Sequence, residues 1–381
     1  MTIWALPENI EDVLPAEAKK LERLRRLALD HFAAHGYELV MPPLLEYVES
    51  LLSGVGRDMD LATFKLVDQL SGRMMGLRAD TTPQVARIDA HVLNRPGVTR
   101  LCYAGSVLHT RPTSLGKSRQ PVQTGAELYG ARGLDADIEV QQLMLDSLAI
   151  FGVNNTKLDI GHSDIFSALV GEIDIAAIQG ISRETLFTAV TAKDVPMLAA
   201  ISAPLAALAT LYGQSSHVVL ARARALLPQT PRIVKALAEL DEIVTHFAQS
   251  GIAASIDLSE LGGFNYETGV AFAAYAASAT DAVARGGRYD DIGRVFGRAR
   301  PAVGFSMDLK TLLPIVAENI SPRSAISAPT TPDKAARAAI AALRNDGEIV
   351  IGSLEGEVND APRQLKLVAG QWQVVSRDKQ Q

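Results

Sequence analysis

Residues in three short stretches have the types and spacing to hold a charged small molecule. Gln123 and Glu127 lie four apart in VQTGAELY, which reads as a strand, so both project from one face. Asp80 and Thr82 close a hairpin at LRADTT. Farther along, a glycine turn at Gly286-Gly287 lets backbone approach a ligand closely, and Arg288 and Tyr289 follow directly. Carboxylates are acceptors and charge-assisted hydrogen bonds are the strong ones, so two acids with a hydroxyl and an amide suit a ligand's ammonium. That chemistry is recognition of an amino acid. The same side chains also fit ordinary strand-end and surface positions, and spacing alone leaves both readings open.

The elements that must position these residues centre on Leu101–Tyr129, read as two strands joined by a polar loop with Arg111, Lys117 and Arg119. Before it, Pro15 suits the first turn of a helix, and Ala18, Leu21, Leu24, Leu27, Ala28 and Phe32 repeat at helical spacing. The charges of KKLERLRR then form its solvated face, and Gly36 ends it. YELVMPPLLEYVESLL predicts a strand broken at Pro42-Pro43 and a short helix. FKLVDQLSGRMMGLRAD predicts a hairpin with strands 64–68 and 73–78. Thr82 is placed as the cap, and Pro83 as the first residue, of a helix running to about Leu93. A helix over 136–151 and a strand at TKLDIGH follow. Residues 163–251 are rich in Ala and Leu and are cut by Pro196, Pro204, Pro228 and Pro231 into short helices, as a helical insertion. The expected domains are a core over 1–322, a Pro/Ser/Thr linker over 323–332, and a small tail over 333–381 with one helix, a strand and a hairpin. Many strands joined by hairpins favour an α+β core with a mostly antiparallel sheet.

The chain has 381 residues and a formal net charge of −6, which argues against a broadly basic nucleic-acid surface. No run of eighteen apolar residues lacks charges, and the start MTIWALPENIEDVLP does not read as a signal peptide, so a cytoplasmic location without membrane contact is expected. Cys102 is the single cysteine and excludes an internal disulfide. The phosphate loop, dinucleotide fingerprint, HExxH and GxSxG signatures are absent, and no metal or cofactor is expected. His31, His35, His91, His109, His162, His217 and His246 are scattered, and each alone suits a structural position.

LRADTTPQVAR, CYAGSVLHTRP…GKSRQPVQTGAE, GGFNYETGVAF, ARGGRYDDI and PAVGFSMDL occur in an order that resembles the landmarks of the histidyl-tRNA synthetase family, over about residues 5–320. MPPLLE is similar to its dimer-forming first motif. The resemblance implies a class II aminoacyl-tRNA synthetase-like core: an antiparallel sheet flanked by helices, with a helical insertion and a small C-terminal α/β tail. It further implies that Asp80, Thr82, Gln123, Glu127, Tyr266, Glu267 and Tyr289 contact histidine. Asp80, Thr82 and Glu127 would take the ammonium and Gln123 the carboxylate.

The departures concern catalysis. The family's FRxER-like run, whose arginine grips the ATP α-phosphate and whose glutamate contacts adenine, is VLHTR here, with Leu108 and Thr110 at those two positions. Its RGLDYY motif is GGFNYE, with Gly262 for the arginine, and Thr311 replaces the arginine that holds the γ-phosphate. Adenylate formation depends on positive charge placed around a triphosphate, and loss of one such donor costs on the order of 3 kcal/mol. Aminoacylation is therefore expected to be lost. Arg111, Lys117 and Arg119 need no catalytic role and are expected to be solvated or to face a partner. The fifty residues after the linker are too few for an anticodon-binding domain of roughly a hundred.

A core with these losses resembles the regulatory-subunit family of ATP phosphoribosyltransferase. That resemblance implies a non-catalytic allosteric chain. Its partner would be the short catalytic subunit that makes phosphoribosyl-ATP, the first step of histidine biosynthesis. L-histidine would be the feedback effector, the chain would form a homodimer within a hetero-oligomer, and tRNA would not bind. The alternatives are a divergent histidyl-tRNA synthetase and a stand-alone histidine sensor.

Overall fold

The computed structural model describes residues 4–53, 57–114, 116–261, 268–316, 324–354 and 360–377. The chain divides into two units, Met1–Val316 and Ala317–Gln381. No helix among the described residues is long and apolar enough to cross a membrane.

The strands are β1 Glu38–Leu39, β2 Leu45–Tyr47, β3 Phe64–Val67, β4 Met74–Leu77, β5 Thr99–Ser106, β6 Val122–Tyr129, β7 Lys157–His162, β8 Tyr212–Gly213, β9 Ala254–Asp257, β10 Val270–Tyr275, β11 Ala284–Arg288 and β12 Ala302–Asp308 in the first unit. The second holds β13 Ile326–Pro329, β14 Val350–Ser353, β15 Arg363–Val368 and β16 Gln371–Ser376. A nine-stranded sheet of order β1-β5-β6-β12-β11-β10-β7-β9-β8 forms the first unit. It is antiparallel except where β1 joins β5 and β7 joins β9, as the run of hairpins requires.

One face of this sheet is covered by the helices Pro15–Ala34 and Leu134–Ile150. The first of these has no β-branched residue, and Pro15 presets its first turn. Leu24, Ala28 and Phe32, four apart, are buried against the sheet, with Phe32 edge-to-face on Phe305 at 5.8 Å. Its outer face is charged as expected, with Arg25 and Arg26 both donating to Glu22. Gly36 adopts φ +80° where the helix ends.

The opposite face carries the site. The expected hairpin is β3–β4, which with β2 makes a small three-stranded sheet. Helix Thr82–Arg87 packs beside it and continues to Leu93 in wider turns. Thr82 is the first helical residue and Pro83 the second, so the expected capping role moves to Thr81, which makes no side-chain cap. The Thr82 hydroxyl is directed across to β6 instead.

Residues 163–226 form short helices as expected, interrupted by β8, but the last helix, Pro231–Gln249, runs for 19 residues. Pro196, Pro204 and Pro231 each sit in a helical first turn, behind Asp194, Ser202 and Thr230, whose side chains accept from the helix N–H groups. Pro thus starts these helices as well as ending their predecessors.

Two expectations about loops are overturned. Gly286 and Gly287 do not form a turn; they lie inside β11, paired with β10 and β12. A Cβ at Gly286 would strike the Phe272 ring and the Gly304 carbonyl, so close strand packing, not a turn, requires glycine there. The stretch expected as a linker contains β13, which pairs with both β14 and β15 in a sheet of order β14-β13-β15-β16. In this C-terminal unit the helix Lys334–Asn345 is capped by Asp333, and Ile326, Ala328, Val350 and Leu365 make the core. The expected hairpin is β15–β16, closed by Ala369-Gly370, both with positive φ.

Candidate functional site

The site lies over the middle of the nine-stranded sheet, on the face that carries Gln123, Gly125 and Glu127 of β6. Register places Glu127 between Leu101 of β5 and Gly304 of β12, and continues the row through Gly287 of β11 to Ala271 of β10. Small residues therefore follow Glu127 across three strands. A Cβ at Gly304 would overlap the Glu127 carboxylate. The row hollows the sheet surface into a cavity of about 450 Å³, lined in part by Asp80, Thr82, Glu127, Gly287, Tyr289 and Gly304.

Glu127 is only 1% exposed. Thr82 Oγ1 and Tyr103 Oη each donate to its Oε1 at 3.2 Å, and Tyr289 Oη donates to Oε2. Burial, and then the charge of Asp80, push its carboxyl well above the usual range. Asp80 is held from two sides: Gln123 Nε2 donates to Oδ1 at 2.7 Å, and so does the Thr82 amide at 3.1 Å. The Gln123 carbonyl accepts from the Thr81 amide at 2.9 Å. Gln123 is thus engaged in fixing Asp80.

Asp80, Thr82, Gln123, Glu127 and Tyr289 are brought together as expected from the sequence. Gly287 borders the cavity from within its strand. Gly262, Tyr266 and Glu267 lie outside the described residues. Tyr103 was missed. Its signal was the alternation of β5, whose site-facing residues are Leu101, Tyr103 and Gly105, but only the β5–β6 register reveals it. Gly125 leaves room for its ring: a Cβ there would lie 2.6 Å from Tyr103 Oη. Arg285 and Glu260, paired at 2.7 Å, also border the cavity and were not singled out.

A larger cleft of about 800 Å³ adjoins this cavity and shares Asp80, Arg285 and Ser306 with it. By the resemblance, Leu108 stands at the position of the family's phosphate-gripping arginine. His109 lines the cleft and Leu108 does not. The ladder continues past β5, with the Val107 and His109 amides bonded to Pro121 and Arg119 carbonyls. Alternation therefore aims His109 at the cleft and Leu108 away from it. His109 Nε2 donates to the Ala79 carbonyl at 2.8 Å. Thr110 donates to the Leu61 carbonyl at 2.6 Å, and Thr311 donates to Asp308 at 2.8 Å. The loop cations are not simply solvated: Lys117 donates to Thr311, and Arg119 donates to the His109 and Glu8 carbonyls. Arg111 lines the cleft.

Besides His109, the ionisable lining of the cleft among the described residues is Arg111, Lys117 and Arg285 against Asp80, Asp281 and Asp308. Three cations and three acids cancel, and Arg285 is already bonded to Asp281 and Glu260. A bound triphosphate needs a strong positive excess that strengthens in the transition state. This lining does not supply one, whereas the inner cavity retains its buried acid and ordered hydroxyls.

The histidyl-tRNA synthetase family model matches residues 9–312, and the model for the ATP phosphoribosyltransferase subunit HisZ C-terminal domain matches residues 323–375. The chain is 53% identical to the ATP phosphoribosyltransferase regulatory subunit of Ralstonia nicotianae, over 99% of each chain. It is 52% identical to that of Cupriavidus taiwanensis, over 98% of this chain and 99% of that one. A solved structure described as an ATP phosphoribosyltransferase regulatory subunit/histidyl-tRNA synthetase, from Bacillus halodurans, superposes with a TM-score of 0.80. It shares 26% identity and covers 94% of this chain and 95% of its own. Histidyl-tRNA synthetase from Nostoc sp. superposes with a TM-score of 0.76 at 17% identity, covering 99% and 97% of the two chains, and so shares the class II fold.

Proposed function

The chain belongs to the family of ATP phosphoribosyltransferase regulatory subunits, and from that premise we propose that it binds L-histidine in the inner cavity and transmits its presence to a catalytic partner. The family's role is regulatory and not catalytic, and lies in histidine biosynthesis. In our reading the partner is the short-form catalytic subunit, which this chain activates. The chain pairs with itself within the hetero-oligomer, works in the cytoplasm, and does not bind tRNA.

The observation that carries this reading is the contrast between the two adjoining hollows. Among the described residues the cleft lining carries no net positive charge for a triphosphate, while the cavity keeps a buried acid ringed by hydroxyl donors. Asp80, Thr82 and Glu127 take the ligand's ammonium. Gln123, already bonded to Asp80 through Nε2, has one further amide hydrogen for the carboxylate. By linkage, histidine lowers the partner's activity only if it binds the less active state of the complex more tightly.

Affinity purification of this chain from its own cells tests the proposal together with an exchange assay. The catalytic subunit is expected to co-purify in stoichiometric amount, and the purified chain to show no histidine-dependent exchange of pyrophosphate into ATP. Histidine-dependent exchange would restore the divergent-synthetase reading. Purification of the chain alone would favour a stand-alone sensor.

A further inference from the structure

Two histidines and an acid that the sequence leaves scattered meet at the end of the first long helix. His31 and His35 are one turn apart in the last turn and cap of helix Pro15–Ala34, so their rings lie on one helix face. Asp146, from helix Leu134–Ile150, faces them. One ligand atom from each of the three lies within 4.8 Å of the others. The two rings meet edge-on, with centroids 4.4 Å apart.

We propose that His31, His35 and Asp146 form a binding site for a divalent transition-metal ion of the zinc class. Three features beyond proximity support this. First, His31 Nε2 is buried and has no hydrogen-bond partner among the described residues; a buried polar atom normally has one. Second, His35 Nδ1 lies 2.9 Å from the His31 carbonyl oxygen, which can only accept. Nδ1 therefore carries the proton and Nε2 the free lone pair. A second ring nitrogen bonded to a main-chain carbonyl is the usual way a metal-binding imidazole is oriented. Third, Gln142 donates to Asp146 Oδ1 at 2.8 Å and fixes that carboxylate.

Tetrahedral zinc, bound at about 2.0–2.1 Å, holds its ligand atoms about 3.3 Å apart. The observed spread needs a closure of roughly 1.5 Å, within reach of a rotamer adjustment of the exposed His35. Two imidazoles and a carboxylate leave a fourth position for water. The metal would tie together two helices that carry the sheet. The same junction is joined two residues beyond His35 by Tyr37 Oη donating to Glu139 at 3.0 Å.

Titration of the full chain, stripped of metal, with zinc chloride in a calorimeter tests the site. Wild type is expected to bind one zinc per chain saturably, with a higher thermal midpoint in zinc. His35→Ala, at an exposed position, is expected to lose at least about tenfold in affinity and the midpoint shift. Asp146→Asn is expected to weaken binding as well. His217→Ala, at a distant exposed histidine, is expected to bind as wild type. Equal zinc affinity in wild type and His35→Ala, or only weak multi-site binding in all variants, overturns the proposal. X-ray absorption of the zinc-loaded chain showing fewer than two imidazole nitrogens also overturns it.

Discussion

Glu127→Gln is expected to lose histidine at least tenfold in titration calorimetry while folding more stably than wild type at neutral pH. A hydrogen bond to a charged group contributes about 1.5–3 kcal/mol, which corresponds to about 10–150-fold in affinity. Glutamine keeps the size and an acceptor for Thr82 and Tyr103 but cannot counter an ammonium charge. The stability gain follows from the sign of the linkage. Burial raises the native carboxyl well above its usual range, so above about pH 4.5 the unfolded chain sheds a proton that the native chain retains. Native stability then falls as pH rises towards the raised value. The variant does not titrate there, so its advantage over wild type should be absent near pH 4 and grow as pH rises above it, read as a widening gap in thermal midpoint. Histidine binding should release a proton in the wild type, visible as a dependence of the heat on buffer ionisation. Unchanged affinity in the variant would remove Glu127 from the pocket.

Arg288→Ala is expected to destabilise the first unit by about 3–5 kcal/mol. Arg288 is 8% exposed and Asp137 1%. Arg288 Nε and Nη2 donate to Asp137 at 3.0 and 2.7 Å, and Nη1 donates to Asp290 at 3.2 Å and to the Ala131 carbonyl at 3.2 Å. This pair joins β11 to helix Leu134–Ile150 immediately before Tyr289. Its burial makes it costly to break: removing the guanidinium leaves Asp137 in a low-dielectric site with nothing to compensate its charge. Replacing both members by apolar residues, Asp137→Leu with Arg288→Met, should recover much of the loss. Urea unfolding of the two single variants and the double variant distinguishes the cases. A single variant within 1 kcal/mol of wild type would contradict this account of the interior.

The parts of this fold that were legible were those set by period and by special backbone geometry. Leu24, Ala28 and Phe32 marked the buried face of the first helix because a helix can bury only one stripe. Gln123 and Glu127 were found together because a strand cannot separate residues two or four apart. Leu108 and His109 show the limit. Beyond β5 a shift of one residue reverses the face, and the sequence offers no anchor for the register. Gly286 and Gly287 read as a turn because glycine usually marks one. Here Phe272 and the neighbouring carbonyl exclude a side chain at Gly286, and the hollow beside Glu127 runs past Gly287. The Ser/Pro/Thr composition concealed β13, whose only proline is its last residue, Pro329, where a strand tolerates it. Tyr103, and the approach of Asp146 to His31 and His35, depend on how distant segments pack, and local pattern carries no record of that.

In our reading this chain binds histidine, catalyses nothing itself, and through histidine controls an enzyme. The most direct measurement mixes it with the short catalytic subunit of ATP phosphoribosyltransferase and follows phosphoribosyl-ATP formation with and without histidine. The expected result is a catalytic subunit that is nearly silent alone, active once this chain is added in equimolar amount, and inhibited by histidine only in the mixture. A catalytic subunit equally active without the chain, or a mixture indifferent to histidine, would contradict the account.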